Sequence, residues 1–227
     1  MVFERLVSLA VSLLLVSGAG LMAAQRAVHD RWYYISEFGA AGLESEQDFK
    51  TGFTMLAVGL LLSAWPLRRL KTRLWPVWVT IMLAGIVFLV ASQVNCTEGC
   101  PGLGAPDATA RDLVHIWFAI AGFVLGCIAM LQVAFAAAAR FRALTIVALV
   151  LVAGSSSAGG ILSLMRNSNE LGAILEHVAA AIGLVWLVIV VLVESARFAP
   201  TAHRPGTPTA AGGSSHRQPE VADRAQA

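Results

Sequence analysis

His115, Glu176 and His177 are the side chains whose types and positions in this chain could do chemistry together. Each lies about one turn inside a long apolar run. An ionisable group at that depth is costly and usually faces the interior of a helix bundle or a water-filled cavity. Two imidazoles and a carboxylate on different helices suit zinc or another divalent metal, whose bound water would be the nucleophile of a hydrolase. The two imidazoles alone suit the axial positions of a haem. The blander reading is a hydrogen-bonded network that anchors the helix ends. The chain has no HExxH and no second histidine pair on either run, so the network is the expectation and neither metal nor haem is expected.

A second set lies in NCTEGCPGLG (residues 95–104), where Cys96 and Cys100 flank a glutamate. Cysteines four apart can form a disulfide, supply two thiolates to a metal with His115, or remain free thiols. Metal binding needs thiolates, which an oxidised pair does not supply. Gly99 and Pro101 accommodate the tight turn of a Cys96–Cys100 disulfide, and an oxidising compartment preserves such a bond. A structural staple is the expectation. The third set is YYISEFGA (residues 33–40). Tyr33 and Tyr34, beside Trp32, suit the headgroup belt of a bilayer. Ser36-Glu37 can hold a turn, with Gly39 at a positive φ. As a nucleophile Ser36 would need a base brought to it by the fold, and the chain has no GxSxG elbow.

Composition says what must position these residues. The chain of 227 residues is 57% apolar and 13% charged, with a mean hydropathy of +0.72. Soluble domains carry about 25% charged residues, so a bilayer is the simplest solvent. A formal charge of +2 offers little to nucleic acid, and three cysteines are too few for a disulfide scaffold. Six apolar runs, over 5–24, 51–67, 74–95, 113–139, 143–165 and 172–198, approach the roughly 20 residues that a spanning helix needs. They show no strand alternation, and only helices or closed barrels satisfy the backbone in hydrocarbon. The predicted class is all-α: a polytopic bundle of six transmembrane helices within residues 1–198. The first run has a signal-like centre and the small residues Ser17-Gly18-Ala19, but a weakly basic start and apolar character to Ala24, so it is expected to remain as a span. Residues 199–227, rich in Pro, Gly, Ala, Ser and Thr, are expected to be disordered.

Lys and Arg sort unevenly along this pattern. With a cytoplasmic N-terminus, most of the 16 fall on inside segments, densest in RRLKTR (residues 68–73), which predicts that both termini are cytoplasmic. The outer face then gathers three loops, and in or beside them lie His29, Glu37, Asp112, His115, Glu176 and His177. A site, if present, faces outward. Elsewhere the helices read as packing. GSSSAGG (residues 154–160) permits close helix approach, Gln132 near the middle of the fourth run suits an interhelical hydrogen bond, and Cys127 is a small apolar filler. Few charges lie at helix centres and no three-plus-three repeat is visible, which disfavours a transporter or channel.

Ile35, Ser36, Glu37 and Gly39, the short loop with Cys96, Cys100 and Pro101, and His115 at the opening of the fourth run are similar to the signature of a six-helix prokaryotic membrane protein family, domain-of-unknown-function 998. LGAILEH resembles that family's glycine and acidic–basic pair through Gly172 and Glu176, with His177 where an arginine is more usual. The likeness covers roughly residues 5–195. It implies six helices and an outward polar cluster, and it brings no established activity. Kinship with intramembrane metal-dependent lipid hydrolases is an analogy, and this chain lacks their three-histidine set. The expected protein is an integral component of the prokaryotic inner membrane. Its outward-facing pocket for a lipid headgroup or a partner protein would be lined by Ser36, Glu37, His115, Glu176 and His177. A metal-dependent hydrolase of lipid or envelope intermediates is the alternative, followed by a haem-binding electron carrier.

Overall fold

Hydrocarbon offers the backbone no hydrogen-bond partners, so each long apolar run satisfies its own by coiling. The computed structural model describes residues 2–29, 32–70, 72, 75–136, 139–165 and 169–197. The tail expected to be disordered, and Lys71 and Arg73 of the basic turn, lie outside them. Every described element is helical: α1 (Val2–Ala27), α2 (Glu46–Leu67), α3 (Val77–Gln93), α4 (Ala110–Ala136), α5 (Ala139–Met165) and α6 (Asn169–Arg197), with a short 3₁₀ helix at Ile35–Gly39. Five of the six are long and apolar enough to cross a bilayer, while α3 has 17 residues. The protein is an α-helical, multi-pass membrane protein.

Helix ends depart from the apolar runs for local reasons. Both α2 and α4 begin before their runs do, with Glu46, Asp48 and Asp112 in their first turns. Carboxylates there meet unpaired backbone N–H groups at the positive end of the helix dipole, so polar residues extend what hydropathy alone would stop. Helix α3 is shorter than its run: Pro76 precedes it, and Val94 leaves helical geometry at φ −105° and ψ 79°.

Each helix packs on the next and α6 returns to α1, closing a ring, with α2 also touching α6 across the middle. Ser8 of α1 pairs with Ser195 of α6, and Glu4 receives Arg68 at 3.0 Å and Arg69 at 2.5 Å. The start of α1 and the ends of α2 and α6 therefore share one end of the bundle. The α1–α2 and α3–α4 connections lie at the other, the loop end. Helices α1 and α2 approach backbone to backbone. A Cβ at Gly18 would lie 2.6 Å from Gly52 O, and one at Gly52 would lie 2.8 Å from Gly18 O.

Within GSSSAGG, Gly159 makes a similar approach to Gly172 O, at 2.9 Å from its would-be Cβ. Gly154 and Gly160 face open space, so one side of that run is the seam. Gln132 is not near mid-membrane. It lies in the last turns of α4, and its Nε2 donates to Trp75 O at 3.0 Å, tying α4 to the segment that leads into α3.

Candidate functional site

The 3₁₀ helix Ile35–Gly39 caps the loop end because other elements supply its partners. Ile35 N–H donates to Glu176 Oε2 of α6 at 2.8 Å, and the Ser45 hydroxyl, just before α2, donates to Phe38 O at 2.7 Å. Ala41 N–H donates to Cys96 O at 2.9 Å, joining the first loop to the second. Gly39 does not have the positive φ expected of it; Gly42, Gly99 and Gly104 do. What Gly39 supplies is room, since a Cβ there would meet the Phe49 ring at 2.3 Å. Tyr34 is not a simple belt residue. Its hydroxyl donates to Gly159 O at 3.5 Å between α5 and α6, and burial raises its pKa above the ordinary phenol value.

The second loop is fastened on both sides of the cysteines. Thr109 and Asp112 cap α4 reciprocally: Thr109 N–H and Oγ1 donate to Asp112 Oδ2 at 2.8 and 2.7 Å, and Asp112 N–H donates to Thr109 Oγ1 at 3.4 Å. The same carboxylate accepts from Thr97 N–H at 2.7 Å. Cys96 and Cys100 are joined as a disulfide with Cα atoms 5.1 Å apart, across a turn in which Gly99 has φ +77°. Their sulfurs lie 3.5 and 3.4 Å from Ser36 O and Oγ. Cys96, Cys100 and His115 offer ligand atoms within 4.8 Å of one another. Joined sulfurs are not thiolates, so this trio is a metal-binding set only after reduction. Alkylation of unfolded, unreduced protein should therefore label Cys127 alone, and prior reduction should raise the count to three. Three labels without reductant would show that the pair is a dithiol.

Inside the ring, between α2, α4 and α6, lies a cavity of about 150 Å³. Its wall on one side is a row of rings, Phe49, Phe53, Phe88 and Phe123, with successive centroids 5.7–5.9 Å apart. Three of the predicted residues, Ser36, His115 and Glu176, line its loop end. His115 is 3% exposed, and its Nδ1 lies 2.7 Å from Val94 O and 3.1 Å from Ala91 O. Both neighbours are acceptors, so the ring proton sits on Nδ1 and Nε2 keeps its lone pair. Glu176 is enclosed by protein yet retains accessible surface, which it turns to the cavity.

Glu37 and His177 are not among the lining residues. Successive helical residues point about 100° apart, so Glu176 and His177 serve different surroundings. The His177 ring packs edge-on to Trp32 at 5.3 Å and Phe38 at 6.2 Å, and its Nδ1 lies 2.8 Å from Ala173 O. Among the described residues, no potential metal-binding group includes Glu176 or His177. Sequence reasoning missed the lower wall of the cavity, and it missed the Thr109-x-x-Asp112 cap, although that spacing is a known helix-start signal.

No curated protein and no solved structure matches the chain. A family model described as "Protein of unknown function (DUF998)" matches residues 9–193. With most of its length inside that match, the chain belongs to the DUF998 family.

Proposed function

We propose that the protein binds the headgroup of a membrane lipid at its loop end, and that this end faces the outer leaflet of a prokaryotic inner membrane with both termini in the cytoplasm. The observation that carries the reading is the convergence of Ser36, His115 and Glu176, from three separate elements, on the head of one apolar cavity. Hydrogen-bonding groups converge there: a carboxyl oxygen of Glu176, the Nε2 lone pair of His115, and a serine hydroxyl that works either way. Such a set favours a head that donates hydrogen bonds through a hydroxyl or amine. A phosphate or carboxylate is served less well, because Nε2 of His115 only accepts. The orientation is supported by the placement of Lys and Arg and by the Cys96–Cys100 disulfide, a bond that persists outside the cytoplasm.

Protein extracted in mild detergent should retain a lipid with a hydroxyl or amine in its head, identified by mass spectrometry of the intact complex. Glu176→Gln keeps the side-chain volume but replaces an acceptor oxygen with a donor. It should weaken retention about tenfold or more, as expected for a lost hydrogen bond to a carboxylate of about 1.5–3 kcal/mol. Equal retention by both proteins would sink the reading. A co-purifying protein in place of lipid would favour partner binding.

A further inference from the structure

Below its polar head the cavity has a direction and a length. The lining residues of α4 include His115, Ala119, Gly122, Gly126 and Met130, spaced along one face of the helix, with Phe123 in the aromatic wall beside them. Those of α6 include Glu176, Ala179, Ala180, Gly183 and Leu187, again on one face. Each helix thus presents a polar residue near the loop end, small residues beneath it, and a large one at the bottom. A Cβ at Gly126 would meet no atom within 4 Å, and at Gly183 the nearest is Met130 Cε at 4.0 Å. The two helices therefore leave a slot that neither fills.

The slot's dimensions and chemistry select its occupant. From Glu176 to Leu187 the helix rises roughly 16 Å, about half of a hydrocarbon core some 30 Å thick. That is the depth of one leaflet. Among the described residues that line it beneath the polar head, Trp186 alone has a side-chain N–H or O–H, and that N–H donates to Thr145 Oγ1 at 3.3 Å. Water there would lack the two to four polar partners it needs, and an empty slot forfeits dispersion contacts along its whole length. Hydrocarbon suits it.

We propose that this slot takes a single aliphatic chain of the lipid whose head sits at Ser36, His115 and Glu176, with the chain terminus at Trp186 and Leu187. The proposal rests on the headgroup reading and adds the number and length of chains held inside the protein. Small residues on α4 and α6 are then the determinants of chain length.

The test uses the full chain in detergent with monoacylglycerols that carry bromine on the terminal carbon, in a series of chain lengths. Bromine quenches tryptophan on contact, and Trp186 is 5% exposed, so bromine in the surrounding micelle does not reach it. The Trp186 signal is wild-type emission minus that of Trp186→Phe. Quenching is expected only for chains about as long as the slot, and it should be lost in Gly183→Leu, which obstructs the slot roughly 10 Å below Glu176. Gly126→Leu obstructs it from the opposite wall and replaces that variant if Gly183→Leu does not fold.

Absent quenching, quenching equal at every length, or quenching unchanged in the obstructed variant overturns the slot. Glu176→Gln separates the two claims. Length-dependent quenching that survives Glu176→Gln unchanged keeps the slot and removes the headgroup site. Length-independent quenching weakened by Glu176→Gln keeps the headgroup site and removes the slot.

Discussion

Asp112→Ala is expected to lower the stability of the bundle by about 3 kcal/mol, read as a fall in the thermal or denaturant midpoint of the purified protein. Asp112 has no accessible surface. Its two oxygens accept from Thr97 N–H at 2.7 Å, Thr109 N–H at 2.8 Å and both threonine hydroxyls at 2.7–3.1 Å. Truncation removes every one of these acceptors and leaves two backbone donors without them, and an unsatisfied buried group costs about 1–3 kcal/mol on its own. Asp112→Asn keeps one acceptor oxygen but turns an amide toward the same donors, so it should recover only part of the loss. Thr97→Ala removes one hydroxyl and should cost about 1 kcal/mol. Because Thr97 adjoins Cys96, the same substitution is expected to loosen the loop beneath the disulfide. An alanine variant that unfolds at the wild-type midpoint would show that the clamp does not hold the loop end.

Gly52→Leu should be comparably damaging for a different reason. The obstacle to a side chain at Gly52 is the backbone carbonyl of Gly18, 2.8 Å from where the Cβ must go, and no rotamer change moves a carbonyl on a helix. Helices α1 and α2 would have to separate, losing contacts along a seam that depends on small residues. Overpacking of this kind costs about 1–3 kcal/mol, and Gly52→Ala should already show part of it. Gly154→Ala is the internal control, since a Cβ there meets nothing. It should leave the midpoint unchanged or raise it slightly through helix propensity. Equal tolerance at Gly52 and Gly154 would mean that the α1–α2 approach does not limit stability.

Much of this architecture is written in the apolar runs, because length and hydropathy are what a bilayer selects. The runs locate all six helices and place the polar clusters at one end of the bundle. They misplace helix ends where polar residues extend the first turn, as at Glu46 and Ala110, although Thr109-x-x-Asp112 carries its own start signal. Side-chain direction is less legible. Glu176 and His177 are neighbours in sequence and equally polar, yet helical rotation turns only Glu176 to the cavity. Which of the two turns inward follows from how α6 docks on α1, α2 and α5, and hydropathy does not encode that docking. The small residues of α4 and α6 look like ordinary packing in sequence. Their role as the walls of a slot emerges only when the facing helix is seen not to fill them.

The return of α6 to α1 bears on how the molecule is made. A chain synthesised from its N-terminus presents α1 well before α6, yet these two form the closing seam, with Ser8 and Ser195 paired across 187 positions of sequence. Without α6 the ring of the other five helices lacks one wall, and its interior is open to lipid. Contacts between α1 and α2, or between α2 and α3, can form as each segment inserts, whereas the interior becomes a separate compartment only when α6 docks. Docking of α6 is therefore a single act of enclosure, and hydrocarbon lying between the other helices at that moment is shut in or squeezed out.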